Sequence, residues 1–182
     1  KSSSFYYNLT EIISHRGPDD INIFNIERAS YKGGLGHARL SIIDLTSSGR
    51  QPMTASGNTI VYNGEIYNYK EIKSELIKLG HHFSGTSDTE VVLKSYCQWG
   101  TDAFSKLNGM FAFAILDYNN DSLVLARDRI GVKPLFYYFD NDILVFASEL
   151  KVILQVISRK AKLDQNSIAG FLKRGWMAGQ AT

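Results

Sequence analysis

Four kinds of residue in this chain could carry acyl chemistry if folding gathered them: an amide followed by a glycine at Asn63-Gly64, a cation at Arg39, a carboxylate at Asp88 and a single thiol at Cys97. An Asn side-chain N–H and the backbone N–H of a following glycine can converge on one point. That is how a developing oxyanion is held during acyl transfer, and glycine lets the point be approached closely. The same dipeptide is the commonest turn former, so a strand-to-helix turn is the competing reading. Arg39 lies in an apolar stretch and needs a partner, either an ordinary ion pair or a carboxylate gripped by two parallel hydrogen bonds. Asp88 falls in the first turn of a helix, where the dipole alone stabilises a carboxylate. Cys97 has no base near it in sequence and reads as a packing residue. His15, His37, His81 and His82 show no zinc spacing, and the adjacent pair should point to opposite faces of an extended segment.

These groups need elements to hold them. The apolar run Thr59 to Tyr62 reads as a buried strand that ends at Asn63. Before it, Leu9, Ile12 and Ile13 mark a short helix, His15 to Asp20 a turn, and Asn22 to Ile26 and Leu35 to Ile43 two strands, the second with Arg39 in its middle. A loop covers Thr46 to Met53. Tyr69, Ile72, Leu76 and Leu79 form one face of a helix ended by Gly80, and Ser87 with Glu90 has capping-box spacing for a second helix carrying Val92, Tyr96 and Trp99. Four apolar runs follow, Met110 to Leu116, Ser122 to Ala126, Leu135 to Phe139 and Ile143 to Phe146. Polar turns at Asn119-Asn120-Asp121 and Asp140-Asn141-Asp142 join them in antiparallel pairs with both faces covered. The charged connection Arg127 to Pro134 reads as an ion-pair corner. Glu149 to Ile157 and Asp164 to Lys173 read as closing helices, the latter capped by Asp164, and Gly175 to Thr182 has no fold-ending device.

Composition narrows the function classes. A length of 182 residues suits one domain, and a net charge of +2 without a run of Lys and Arg among aromatics predicts no nucleic-acid partner. No apolar run approaches the roughly 20 residues that span a bilayer, which predicts no membrane partner. One cysteine excludes an internal disulfide framework and fits the cytoplasm. There is no Walker loop, dinucleotide glycine fingerprint or zinc-ligand spacing, so the chain is expected to hold no cofactor of its own. Lys1 is not an initiator methionine, which reads as processing or a fragment.

The ordered set His15-Arg16-Gly17-Pro18-Asp19, His37-Ala38-Arg39-Leu40-Ser41-Ile42-Ile43-Asp44, Gln51-Pro52-Met53, Tyr62-Asn63-Gly64-Glu65-Ile66-Tyr67-Asn68, Ser87-Asp88-Thr89-Glu90, Gly109-Met110-Phe111-Ala112-Phe113-Ala114 and Arg127-Asp128-Arg129-Ile130-Gly131-Val132-Lys133-Pro134-Leu135 closely resembles the glutaminase domain of glutamine-hydrolysing asparagine synthetases. These are class II glutamine amidotransferases. The resemblance implies an α+β fold, a four-layer αββα sandwich of two antiparallel sheets, as in N-terminal-nucleophile hydrolases. It implies that Arg39 grips the α-carboxylate of glutamine, Asp88 meets its α-amino group, Asn63 and Gly64 form the oxyanion hole, and Glu65 contacts substrate. In the family the nucleophile is an N-terminal cysteine whose own amine is the base. Counted back from His15, the chain begins too late to contain that Cys-Gly strand, so residues 1–182 are expected to be a glutaminase domain inactive without it. The synthetase domain that uses ATP and Mg is expected outside the chain as partner, and the resemblance leaves room for a homodimer. If the gene truly begins at Lys1, the same groups make a non-catalytic glutamine-binding sensor or scaffold.

Overall fold

The computed structural model describes residues 3–40, 49–140, 142–157 and 164–175. In chain order, α1 (Ser3–Glu11) and a 3-10 turn (Ser14–Arg16) precede the strands β1 (Asp20–Glu27), β2 (Lys32–Arg39), β3 (Met53–Ala55) and β4 (Asn58–Ile66). Helices α2 (Tyr69–Lys78), α3 (Asp88–Trp99) and α4 (Ala103–Lys106) follow. Strands β5 (Gly109–Asp117), β6 (Ser122–Arg127), β7 (Phe136–Phe139) and β8 (Leu144–Ala147) lead to α5 (Leu150–Val156) and α6 (Gln165–Arg174).

The central sheet has the order β3-β4-β5-β6, and β4 pairs antiparallel with β5 along its whole length, from Asn58 opposite Asp117 to Ile66 opposite Gly109. β5 reads as an unbroken apolar run because both of its faces are covered. On one face Ile60, Tyr62, Ile66, Phe111, Phe113 and Ile115 pack against Ile72 and Leu76 of α2 and Val91, Val92 and Tyr96 of α3. On the other, Val61, Ala114 and Leu116 meet Ile26 and Leu35 of the β1-β2 hairpin and Phe146 of β8. Each fully buried side chain of this size contributes roughly 2 kcal/mol by leaving water. α1 covers the outer face of β1 and β2, and α5 lies on β7 and β8. Gly34 and Gly36 let α1 sit close, since a Cβ at either would run into Tyr6 or Thr10.

The expected αββα layering is therefore present. Its second β layer consists of two hairpins, β1-β2 and β7-β8, that are not hydrogen-bonded to each other among the described residues. The β7-β8 ribbon is not covered on both faces as expected: Tyr137 and Phe139 are 69% and 72% exposed, because α5 shields one side only. β2 ends at Arg39, which places that residue at the strand's end rather than its middle. α1 begins at Ser3 and stops before Ile12 and Ile13.

Two further expectations change for local reasons. Ser87 caps α3 by accepting Thr89 N–H at 3.1 Å, but Glu90 does not close a capping box; its carboxylate turns to the N–H groups of Ser84 and Gly85 and to Lys94. The 127–134 connection is not an ion-pair corner. Asp128 accepts the N–H groups of Phe111, Val132 and Lys133, Arg127 donates to the Gly131 and Lys133 carbonyls, and Arg129 donates to those of Ser105 and Leu107. Asp164 caps α6 as expected, through Asn166 and Ser167 N–H, and Gly80 ends α2 with φ +92°. The expected strand residues 41–43, part of the Thr46–Met53 loop, Asn141 of the second hairpin turn and the tail beyond Gly175 lie outside the described residues. Among those described, no helix is long and apolar enough to cross a membrane.

Candidate active site

The Asn63-Gly64 pair is not a turn. β4 runs through it to Ile66, opposite the start of β5. A Cβ on Gly64 would strike the Met110 carbonyl and stand 2.8 Å from Phe111 Cα, so this crossing of β4 and β5 admits only glycine.

The register decides which backbone groups remain available. Gly57 and Tyr67 of the β4 segment bond to Tyr118 and Asn108 on the β5 side, so the odd-numbered positions serve β5 and the N–H groups of Tyr62, Gly64 and Ile66 point to the opposite edge. Among the described residues that edge has no strand to meet them, because β3 reaches no further than Met53 opposite Ile60. Side chains take its place at two of the three positions. Tyr62 N–H donates to Gln51 Oε1 at 2.6 Å, and Ile66 N–H donates to Asp88 Oδ2 at 3.1 Å. The Gly64 N–H between them is left without a partner strand.

Around this edge lies a cavity of about 840 Å³ lined by Arg39, Asn63, Gly64, Glu65 and Asp88, together with Gln51. All five residues singled out as binding or oxyanion groups thus converge on one space. Asn63 shares the strand face of Val61, which packs toward the β1-β2 layer, and its carboxamide makes no hydrogen bond to the described residues. Arg39 is a buried cation on the β2 face that carries Leu35. The loop before β1 braces it: Asp19 N–H donates to the Arg39 carbonyl at 3.0 Å, and Gly17 lies so close to Ala38 and Arg39 that no Cβ fits. Asp88 is buried at the first turn of α3, where Oδ2 also accepts the Tyr62 hydroxyl at 2.7 Å. Glu65 is exposed at the rim.

Cys97 stands apart from the cavity. It is half-buried beside Asn58 Nδ2, at 3.4 Å, and the Ala55 carbonyl, and burial raises its thiol above the ordinary range, which opposes nucleophilic use. In the His81-His82 pair, His81 Nε2 meets Gln98 Oε1 at 2.7 Å, while the His82 carbonyl accepts from Lys94.

Three site residues carry no functional role in the sequence reading: Gln51, Tyr62 and His37. Burial holds the His37 imidazole down at about 4, only partly offset by the nearby Tyr62 backbone. Burial, with Asp88 beside it, pushes the Tyr62 phenol up, so it stays a neutral donor. Gln51 and His37 lie in the family-like segments, but nothing in their spacing shows that both would reach the same residue of β4.

The protein-family model of the glutamine amidotransferase domain matches residues 2–182. The chain is 44% identical over 165 residues to asparagine synthetase [glutamine-hydrolyzing] 3 of Bacillus subtilis, covering 88% of this chain and 26% of that protein. It is 39% identical to a putative asparagine synthetase [glutamine-hydrolyzing] 2 of Methanocaldococcus jannaschii, covering 93% and 36%. The chain thus spans about a quarter to a third of the length of these relatives. Glutamine phosphoribosylpyrophosphate amidotransferase from Bacillus subtilis superposes with a TM-score of 0.57 at 26% identity, over 67% of this chain and 29% of that one. With a family model matched along nearly its whole length and a fold shared with a solved amidotransferase, the chain belongs to the glutamine amidotransferase domain family.

Proposed function

We propose that this chain is the glutamine-hydrolysing half of an asparagine synthetase-like enzyme, releasing glutamate and ammonia for ATP-dependent amidation of aspartate or a related carboxylate. The observation that carries the reading is the Gly64 N–H, unclaimed among the described residues, beside the Asn63 carboxamide in one cavity with a buried cation and a buried carboxylate. Glutamine offers a partner for each. Its α-carboxylate suits Arg39, its α-ammonium suits Asp88, and Glu65 closes the rim. Its side-chain carbonyl turns into a tetrahedral oxyanion that Asn63 and Gly64 stabilise.

In this reading the nucleophile is an N-terminal cysteine on a strand preceding Lys1 in the full-length protein. Its thiol adds to the carboxamide carbon with the α-amine accepting the proton. The α-ammonium returns that proton to the amide nitrogen, which leaves as ammonia, and water hydrolyses the thioester to glutamate and the free thiol. The cavity supports such a strand, since it is lined by consecutive residues of β2 from Lys32 to Arg39 and of β8 from Leu144 to Ala147. In this reading ATP and Mg are used by the synthetase part.

The test is ammonia release from glutamine by the full-length protein with its natural N-terminus. Release that is lost in Arg39→Ala is expected. Undiminished turnover in that variant would sink the assignment of Arg39.

A further inference from the structure

Gln51 is 6% exposed and uses both ends of its carboxamide. Oε1 accepts Tyr62 N–H at 2.6 Å, and Nε2 donates to Thr89 Oγ1 at 3.2 Å. The two partners are the sequence neighbours of the reacting groups, because Tyr62 precedes Asn63 and Thr89 follows Asp88. A second link runs between the same two elements, from the Tyr62 hydroxyl and Ile66 N–H to Asp88 Oδ2. The first joins strand to helix before the Gly64 gap and the second spans it. Tyr62 is thus fixed through its N–H and its phenol.

We propose that Gln51 is a positioning residue of the glutaminase site: it sets the distance and orientation of the Asn63-Gly64 donors relative to Asp88. The proposal rests on the function proposed above. Without Gln51 the outer edge of this segment would be tied to α3 through Asp88 alone, leaving the Tyr62 backbone unheld, and donors aimed at an oxyanion lose most of their effect when displaced by about 1 Å. Gln51 itself has no acceptor left for substrate, since Oε1 is engaged by a short bond in a buried position. A residue serving only to fill space would be replaceable by an apolar side chain of equal length, and that is the distinction the experiment uses.

In the full-length protein, Gln51→Ala and Gln51→Met are compared with Thr89→Val, Thr89→Ser and the Gln51→Ala/Thr89→Val double variant. Both Gln51 variants should lose on the order of 10- to 100-fold in kcat for ammonia release and raise KM. Thr89→Val should raise KM with little change in kcat, Thr89→Ser should restore the wild-type KM, and the double variant should equal Gln51→Ala because both changes cut one link. Wild-type kcat and KM in Gln51→Met would overturn the proposal, as would full additivity in the double variant. Amide hydrogen exchange provides a readout that needs no turnover. Gln51→Ala should speed exchange at Tyr62 and also at Ile66, whose acceptor is Asp88; acceleration confined to Tyr62 contradicts the coupling. If wild-type protein releases no ammonia, the glutaminase reading fails, and the exchange result still decides whether Gln51 holds β4 to α3.

Discussion

Gly64 and Phe111 face each other across β4 and β5, and their outward N–H groups meet opposite fates. Each lies beyond the end of its flanking strand, Gly64 past the β3 pairing that stops at Ile60 and Phe111 immediately before the β6 pairing that begins at Ala112. On the Phe111 side, Asp128 accepts the orphaned N–H at 3.2 Å and takes those of Val132 and Lys133 as well, at 2.8 and 3.0 Å. Burial alone would raise the Asp128 carboxyl, but these donors outweigh it and hold it at about 2. On the Gly64 side, Gln51 and Asp88 satisfy the two neighbouring N–H groups and, among the described residues, leave the middle one. Polar residues whose hydrogen-bonding capacity is used up by the backbone are structural. A donor kept free between two satisfied ones is available for a ligand.

The largest test of this contrast is Asn63→Ala. Losing one oxyanion donor should lower kcat for glutamine hydrolysis by about 10²- to 10³-fold, near 3 to 4 kcal/mol of transition-state stabilisation, while thermal stability changes by less than about 1 kcal/mol. A variant that melts instead would make Asn63 structural and erase the distinction between the edges.

His37 sharpens the same edge through pH. Its folded-state value of about 4 lies below the ordinary 6.5, so between these values the unfolded chain binds more protons and stability falls as pH falls. Full stability is present above 6.5, and up to roughly 3 kcal/mol is lost by pH 4. Denaturant titrations of His37→Asn should show a flatter slope in that window; an unchanged slope would mean that another group titrates there. Asp128 acts lower: its stabilisation is present above the ordinary carboxylate range and disappears as pH drops through about 2.

Gly64→Ala should cost about 1 to 3 kcal/mol by forcing β4 from β5 at Met110 and Phe111, and calorimetry would read it as a lowered Tm. The smallest effect belongs to Cys97. Cys97→Ala should leave ammonia release unchanged and stability within about 1 kcal/mol, whereas loss of activity would bring the nucleophile back inside this chain.

Much of this contrast was legible in the residue types. Arg39, Asp88, Asn63 and Gly64 are chemically matched to an amino acid and its oxyanion, and all four line one cavity. Their setting was less legible. Asn-Gly suggests a turn by local propensity, yet cross-strand pairing with Ala112 and Phe111 keeps it extended, and only tertiary register reveals that. Asp128 sits among Arg127, Arg129 and Lys133, so composition suggests ion pairs; the folded loop instead turns its N–H groups onto the carboxylate. Gln51 was illegible as a tether because its two partners are 11 and 38 residues away. The exposed β7 ribbon was misread because an apolar run does not say which of its faces finds a covering layer.

The most direct measurement is the backbone amide signal of Gly64 in full-length protein labelled with [15N]glycine, located by its disappearance in Gly64→Ala, during titration with glutamine or glutamate. The account predicts that Gly64 moves more than any glycine outside the cavity, and that Asn63→Ala reduces the shift. Saturable binding that leaves Gly64 unmoved would contradict the claim that the unclaimed edge of β4 is where the chemistry takes place.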